Sequence, residues 1–390
     1  MKRVLLATCY FKHNFGSMLQ AYATQCFLDK KNIFNKTIDI SSLKDFRIGK
    51  IKYYKTQMIK PSFFKAKRGM IKLLIKRKIE PKMKANFTIR DSYFDEFKKN
   101  KFNLTDSFES YNDLHNFCIG NFNNVLVGSD QLWLPINIVA NYYTLNFVPK
   151  NINKISYATS FGVSSIPNKL KNEYSSFLRR IDNISVREES GEKIIEELIG
   201  KKCEVVCDPT LLLTSDEWRN LAPKKRIIDC KYIFCYFLGK SKAHRKFAET
   251  VKEITGYKIV SINNCDEYVK YSEKYADIVP YDVGPLEWIN LIMNSEYVCT
   301  DSFHGTLFSL IFNKIFFTFR RFSGKTVFST NTRIDTILNI VNLHKRIFTG
   351  EETHEEIIKI LNTNVDYDTI NIKLDEYRKK SGDFLINSIR

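Results

Sequence analysis

Short apolar runs alternate with longer amphipathic stretches along most of this chain, and this alternation is the strongest constraint on its fold. The apolar runs have the length of buried strands, and the stretches between them repeat apolar residues at helical spacing. Strands that alternate with helices form parallel sheets covered by helices on both faces, an α/β fold. The predicted strands cover residues 4–8, 38–40, 125–127, 155–158, 184–186, 205–206, 232–236, 258–261, 297–300 and 315–319. The predicted helices cover residues 18–29, 170–181, 190–198, 243–255 and 286–293.

The predicted strands are too many for one ordinary doubly wound sheet, so we expect two Rossmann-like domains that face a cleft. A chain of 390 residues has room for two or three domains. Residues 213–229 include a polar, proline-containing stretch and mark the join between the domains. We predict an N-terminal Rossmann-like domain over residues 1–215, a C-terminal one over 216–345 and a helical tail over 346–390.

The chain carries a net charge of +18 at neutral pH, which indicates an anionic partner. Residues 44–101 hold 19 Lys and Arg but 5 Asp and Glu, so a basic insertion carries most of the charge. Within the insertion, apolar residues recur on one helical face, and two interpretations stay open. The helix could dock on an anionic membrane surface, or it could pack its apolar stripe on the core. The apolar face comprises Phe63, Phe64, Met70, Ile71, Leu74 and Ile75.

Several other classes of protein are disfavoured by the sequence. No apolar run reaches the ~18 residues that cross a bilayer, and the apolar start lacks a cleavage site for a signal peptide. The nine cysteines show no spacing typical of a zinc site. No nucleic-acid recognition motif accompanies the basic charge, so we expect no nucleic-acid partner. We therefore predict a cytoplasmic protein.

A glycine-containing turn follows the first predicted strand and opens a helix. In doubly wound domains such a turn presents backbone N–H groups to an anionic ligand. The segment is not a GxGxxG motif, so it gives no support for dinucleotide binding. The candidate binding residues in this turn are Asn14, Gly16, Ser17 and Gln20.

A second candidate segment, Ser129-Asp130-Gln131, follows the predicted strand at residues 125–127. Ligands of open α/β sheets bind at the carboxyl ends of the strands. Asp130 could therefore bind a sugar hydroxyl or accept its proton. The alternative is that Asp130 caps the following helix.

Arg187 is the first polar residue beyond the predicted strand at residues 184–186. Its guanidinium suits bidentate binding of a phosphate or a carboxylate. The alternative is a salt bridge to Glu188, Glu189 or a neighbouring element.

His304 lies between Ser302 and Gly305, where the predicted strand at residues 297–300 turns into an apolar helix. This position brings the imidazole close to the free N–H groups of a helix N-terminus. A lone histidine is usually structural, but this turn faces the cleft of the second Rossmann-like domain. We therefore predict that His304 is catalytic, with Ser302 and Gly305 in the binding site.

Taken together, these segments resemble the polysaccharide pyruvyl transferase family. The matching blocks occur in order over nearly the whole chain and are NFGSMLQAYA, VGSDQLW, ISYATSFG, SVREESG, DPTLLL and TDSFHGTLFSLIF. The resemblance implies a GT-B-like fold and transfer of a pyruvyl group from phosphoenolpyruvate to a sugar, as a cyclic ketal. Phosphoenolpyruvate is then a co-substrate, and no metal or other cofactor is implied. The expected acceptor is a hexose such as galactose in a lipid-linked capsular or exopolysaccharide precursor, at the inner face of a bacterial membrane.

Residue by residue, the resemblance makes His304 the catalytic histidine, Arg187 a donor-binding arginine and Asp130 the acidic residue of the cleft. Many members have an arginine where this chain has Ser302, and another basic residue could supply that charge. A GT-B glycosyltransferase that uses a nucleotide sugar is the alternative function, and a catalytically inactive relative is a third interpretation. The candidates for the missing charge are Arg320, Arg321, Lys325 and Arg333.

Overall fold

The computed structural model describes residues 2–58, 61–321 and 332–390. Two sheets form the framework of the protein. The strands of the first sheet are β1 (Arg3–Ala7), β2 (Phe34–Asp39), β3 (Leu104–Ser107), β4 (Asn124–Val127), β5 (Asn153–Thr159), β6 (Asn183–Val186) and β7 (Glu204–Val205). Those of the second sheet are β8 (Tyr232–Tyr236), β9 (Lys258–Ser261), β10 (Tyr297–Thr300), β11 (Ile315–Phe319) and β12 (Ile347–Phe348).

Helices connect most of these strands. They are α1 (Phe15–Lys30), α2 (Lys44–Met58), α3 (Pro61–Ile79), α4 (Pro81–Lys101), α5 (Tyr111–Cys118), α6 (Pro135–Ile138), α7 (Lys171–Leu178), α8 (Glu189–Ile199), α9 (Ser215–Leu221), α10 (Lys242–Thr255), α11 (Pro285–Met293), α12 (Phe303–Ile311), α13 (Thr332–Ile340), α14 (His354–Leu361) and α15 (Tyr367–Ser388). Among the described helices, none is both long enough and apolar enough to span a membrane.

The strands pair in parallel throughout both sheets. The strand orders are β3-β2-β1-β4-β5-β6-β7 and β12-β11-β10-β8-β9. Strands β4 and β8 are buried along their whole length, as expected where helices cover both faces of a sheet. In each sheet the strand order changes direction once, between β1 and β4 in the first sheet and between β8 and β10 in the second. Open α/β sheets bind their ligands at the carboxyl ends of the strands beside such a switch point. The prediction of an α/β protein with two Rossmann-like domains is confirmed.

The predicted bounds match closely where strands are continuously apolar. The sequence assigned β8, β9, β10 and β11 the bounds that the structure shows. It missed β3 and β12, because β3 is mostly polar with one buried residue and β12 is only two residues long. Such strands are defined by their pairing with a neighbour rather than by their own apolar pattern.

The basic insertion folds as α2, α3 and α4 between β2 and β3. Side chains of α4 contact the second domain. Arg90 of α4 is buried, and its guanidinium donates to the carbonyl oxygens of Asn263 at 2.9 Å and Pro280 at 2.8 Å. The same guanidinium lies 4.5 Å from the centre of the Tyr281 ring. These contacts hold the insertion against the second domain.

The start of α1 also packs against the second domain. The ring of Phe15 stacks on that of Trp288 in α11, with centroids 5.6 Å apart and an interplanar angle of 9°. Phe15 also meets Tyr236 edge to face at 5.8 Å. The residues that follow Phe15 are therefore held close to the carboxyl ends of the second sheet.

Residues 346–390 pack on both domains. In α14, Ile357 is buried in an apolar cluster of the second domain, together with Phe247 and Phe317. By contrast, α15 returns to the first domain, where Ser381 Oγ accepts from the backbone N–H of Cys207 at 2.9 Å. The predicted domain boundaries stay predictions, and α9 lies within the stretch where the sequence places the join.

Candidate functional site

His304 reaches from the second domain into the first. It is the second residue of α12, which follows β10, and Ser302 caps this helix by accepting from the N–H of Gly305 at 3.3 Å. The imidazole lies against the start of α1, where a Cβ placed on Gly16 would come within 2.0 Å of His304 Nδ1. Because only a hydrogen occupies that place in glycine, Gly16 permits the close approach of the two domains.

Asp208 is a buried carboxylate that joins three groups of the site. It follows β7, and its Oδ2 accepts from Arg187 Nη1 at 2.6 Å and from Ser129 Oγ at 2.9 Å. The same oxygen lies 3.5 Å from His304 Nε2. Burial by itself raises the pKa of Asp208, but the charges of His304 and Arg187 outweigh it and hold the pKa well below its ordinary value. Asp208 is therefore an anion that orients the imidazole.

Asp130 provides a second carboxylate at the end of β4. Its Oδ2 accepts from Ser17 Oγ at 2.5 Å, and its Oδ1 lies 3.9 Å from Arg187 Nη2. Burial raises the pKa of Asp130, whereas Arg187, His304 and Ser17 lower it, and the net effect is a lowered pKa. Its φ of +82° is uncommon for a residue other than glycine and is typical of functional sites. The helix-capping interpretation is wrong, because the next helix, α6, has Leu134 at its N-cap.

Two guanidinium groups converge on the ring of Phe303. That of Arg187 lies 4.5 Å from the ring centre, and that of Arg333 lies 5.5 Å from it. Burial lowers the pKa of Arg333 to about 9, and the neighbouring charge of Arg187 contributes to the shift. Nε and Nη2 of Arg187 are buried without a hydrogen-bond partner among the described residues. Both guanidinium groups are therefore placed where they could bind an anion, although Arg187 already pairs with Asp208.

The structure separates the four basic candidates of the C-terminal domain. Arg333 lies in the cluster, and Arg321 is close enough that its charge also lowers the pKa of Arg333, after the larger effects of burial and Arg187. Arg320 is not brought to the site, because its side chain is half exposed and pairs with Asp335 at 2.7 Å. Lys325 lies outside the described residues.

Several predicted binding residues make contacts within the protein. Asn14 Oδ1 accepts from the N–H of Ser17 at 3.0 Å and caps α1. Gln20 is fully buried and donates to the carbonyl oxygen of Ser17 at 2.7 Å. The side chain of Gln131 lies against Gly162, where a Cβ would come within 2.5 Å of its Nε2. Oε1 of Gln20 and Nε2 of Gln131 are nevertheless buried without a hydrogen-bond partner among the described residues.

Two residues of the cluster were missed as site residues by the sequence analysis. Asp208 follows the edge strand β7, just as Asp130 follows β4. Its position after a predicted strand was the sequence feature that could have identified it as a site residue. Glu188 is also buried, and its Oε1 accepts from Ser160 Oγ at 2.8 Å. The charge of Glu188 raises the pKa of Arg333 and so opposes the effects of burial and Arg187.

Two parallel sheets with a shared site at their carboxyl ends define a fold of the GT-B type, in agreement with solved structures. UDP-GlcNAc 2-epimerase from Methanocaldococcus jannaschii in complex with UDP-GlcNAc and UDP is similar at a TM-score of 0.50, with 14% identity over 99% of both chains. A putative UDP-N-acetylglucosamine 2-epimerase from Listeria monocytogenes is similar at 0.53, with 12% identity over 95% of this chain and 90% of that chain. These likenesses show the fold alone.

A narrower assignment comes from residues 14–321, which match the profile of the polysaccharide pyruvyl transferase family. The chain belongs to this family, and the resemblance seen in the sequence is confirmed. The matched region includes Asp130, Arg187, Asp208 and His304 but ends before Arg333. No curated protein sequence is significantly similar to this chain.

Proposed function

We propose that the protein transfers the pyruvyl group of phosphoenolpyruvate to two hydroxyls of a sugar and closes a cyclic ketal. The observation that carries this proposal is the meeting of His304 with Asp208 across the two domains, beside Arg187 and Asp130. The reaction needs an acid, a base and cations for two anionic groups. Membership of the family supports the same transfer.

The acid and base steps can be assigned to these residues. Phosphoenolpyruvate is an enol phosphate, and a proton from His304 to its methylene carbon leaves the adjacent carbon electrophilic. One sugar hydroxyl adds to that carbon, and its proton passes to Asp130. Inorganic phosphate then leaves with the proton of the second hydroxyl as that hydroxyl closes the ketal. The proton held by Asp130 returns to His304 before the next turnover. The carboxylate of Asp208, 3.5 Å from His304 Nε2, orients the imidazole for this transfer.

The two guanidinium groups suit the donor, because phosphoenolpyruvate carries both a carboxylate and a phosphate. Arg187 has buried N–H groups available to one of them, and Arg333 lies over the same Phe303 ring. A guanidinium binds either anion in a bidentate manner. We infer that Arg333 supplies the charge that Ser302 lacks. The proposed chemistry requires no metal.

For the acceptor we propose a hexose such as galactose in a lipid-linked capsular or exopolysaccharide precursor. Such precursors are amphiphilic and remain at a membrane surface. An enzyme that acts on them benefits from reversible peripheral binding to that surface. The strongly basic insertion supports this location.

The test is to incubate the protein with phosphoenolpyruvate and candidate acceptors, and to measure phosphate release and the mass increment of a pyruvyl group. His304→Ala and His304→Gln should fold but lose transfer by at least ~100-fold, the usual contribution of a positioned acid or base. His354→Ala, at an exposed histidine of α14, is the matched control and should retain activity. Near-normal turnover in the His304 variants would refute the assignment, and turnover of a nucleotide sugar instead of phosphoenolpyruvate would favour a glycosyltransferase.

A further inference from the structure

The helix α3 exposes a row of apolar side chains. Phe64, Ile71 and Ile75 are spaced seven and four residues apart, so they share one face of the helix. Leu74 and Ile79 flank this row, and the exposed fractions of the five side chains run from 39% for Ile71 to 67% for Ile79. An open groove of about 740 Å³ extends along the row. A contiguous apolar surface of this kind marks an interaction site.

The opposite side of α3 anchors the helix to the protein. Leu73 is buried, and the carbonyl oxygen of Gly69 accepts from the backbone N–H of Tyr268 at 3.1 Å. Between the two sides, Lys72 and Lys76 line the groove and also lie 4.7 Å and 4.6 Å from the centre of the Tyr268 ring. Leu73 is outside the predicted apolar face. Of that face, Phe64, Ile71, Leu74 and Ile75 are exposed and Phe63 and Met70 are half-buried, so most of it does not pack on the core.

The charge of α3 selects the kind of partner. The helix contains seven Lys and Arg and no Asp or Glu. Arg68 and Lys78 are exposed and fall between the apolar residues of the row at helical spacing. Lys82 and Lys84 are exposed in the first turn of α4. Apolar side chains surrounded by cations match the acyl boundary and the headgroups of an anionic bilayer, whereas an acidic protein surface would not need the exposed apolar row.

Helix α3 borders the second domain. A Cβ placed on Gly69 of α3 would come within 2.7 Å of Glu267 Oε2, so the helix passes close to the segment that contains Glu267 and Tyr268. A surface that contacts the exposed face of α3 is therefore near the second domain as well as the insertion.

We propose that the exposed face of α3 docks on the anionic surface of a lipid bilayer and so holds the protein where lipid-linked acceptors are. This inference deepens the proposed function, because it places the acceptor at a lipid surface. The docking itself is a binding event that requires neither phosphoenolpyruvate nor an active site. It can therefore be measured on the whole protein without turnover.

The experiment is sedimentation of the full chain with vesicles of phosphatidylcholine alone or mixed with phosphatidylglycerol. Each cation near an anionic surface contributes a ~5-fold gain in binding, so Arg68→Glu/Lys78→Glu should lower partitioning by more than ~10-fold. Ile75→Ser/Ile79→Ser should lower it comparably by removing buried apolar groups. The matched controls are Ile372→Ser, an exposed apolar residue of α15, and Lys201→Glu/Lys202→Glu, both exposed. Both controls should bind as the unaltered protein does.

Equal binding to both kinds of vesicle, or full binding by both α3 variants, would overturn the proposal. A concentration-dependent dimer that Ile75→Ser/Ile79→Ser abolishes would also overturn it, because the row would then bind a second copy of this chain. Unchanged thermal unfolding midpoints show that the variants are folded. Transfer to a short, water-soluble acceptor separates the two proposals, since the α3 variants should retain it even when vesicle binding is lost.

Discussion

The contact between Gly16 and His304 allows a direct test of how the two domains meet. A Cβ on Gly16 would lie 2.0 Å from His304 Nδ1, whereas ordinary contacts begin at 3.4 Å. The substitution Gly16→Ala therefore forces the imidazole, or the domain that carries it, to move by about 1.4 Å. The ring has little room for this movement, because His304 is buried between the domains.

The size of the effect follows from two opposing contributions. Alanine in place of glycine inside a helix stabilises by ~0.5–1 kcal/mol, so α1 by itself gains. Overpacking of a buried contact costs ~1–3 kcal/mol. The free energy of unfolding should therefore fall by up to about 2.5 kcal/mol. Because a displacement of 1 Å at a reacting group costs ~100-fold in rate, proposed pyruvyl transfer should fall by about that factor.

The assay is a double-mutant cycle, with urea unfolding of the unaltered protein, Gly16→Ala, His304→Ala and the double variant. Without the imidazole there is no clash, so Gly16→Ala should be neutral or stabilising in the His304→Ala background. The coupling between the two sites should be ~1–3 kcal/mol. The same destabilisation in both backgrounds, or a Gly16→Ala protein with undiminished stability and turnover, would refute the close contact.

Two further predictions concern the buried charges. Asp208→Asn leaves Arg187 without its carboxylate partner and should cost ~3–5 kcal/mol of stability at pH 7, measured by denaturant unfolding. The folded-state pKa of Asp208 is lowered below its unfolded value of ~3.9. The stabilisation that the Asp208 carboxylate provides is therefore complete above pH ~3.9 and is lost as the pH falls further. The difference in unfolding free energy between Asp208→Asn and the unaltered protein should consequently shrink at about pH 3. A difference that does not change with pH would contradict this charge assignment. Arg187→Lys and Arg333→Lys retain the charge but lose the bidentate fork, so each should raise the apparent Michaelis constant for phosphoenolpyruvate. Arg320→Lys, at a half-exposed surface position, is the control, and equal constants in all three variants would place both buried arginines outside the donor site.

Much of the fold was determined by local sequence. The strands from β8 to β11 are apolar over most of their length, and a short apolar run between helices has few other stable structures. The short β3 and β12 escaped detection because neighbouring strands supply their hydrogen-bond partners.

Part of the site was determined in the same way. Asp130 and Arg187 each follow a strand of one parallel sheet, and His304 follows a strand of the other. Since the carboxyl ends of parallel strands meet at one edge, polar residues at those ends come together without further information. The sequence therefore predicts these three side chains as site residues, but it does not predict which contacts they make.

Only the tertiary structure decided which side chains meet across the domains. The sequence treated Arg320 and Arg333 as equivalent, yet the packing of the second domain sends Arg320 to the surface and Arg333 to the ring of Phe303. Asp208 belongs to the site because the packing of the two domains places His304 Nε2 3.5 Å from its carboxylate. Periodicity likewise showed that α3 is amphipathic, but not which face the protein covers. Local patterns depend on neighbours in sequence, whereas these contacts depend on how two separately formed sheets pack against each other.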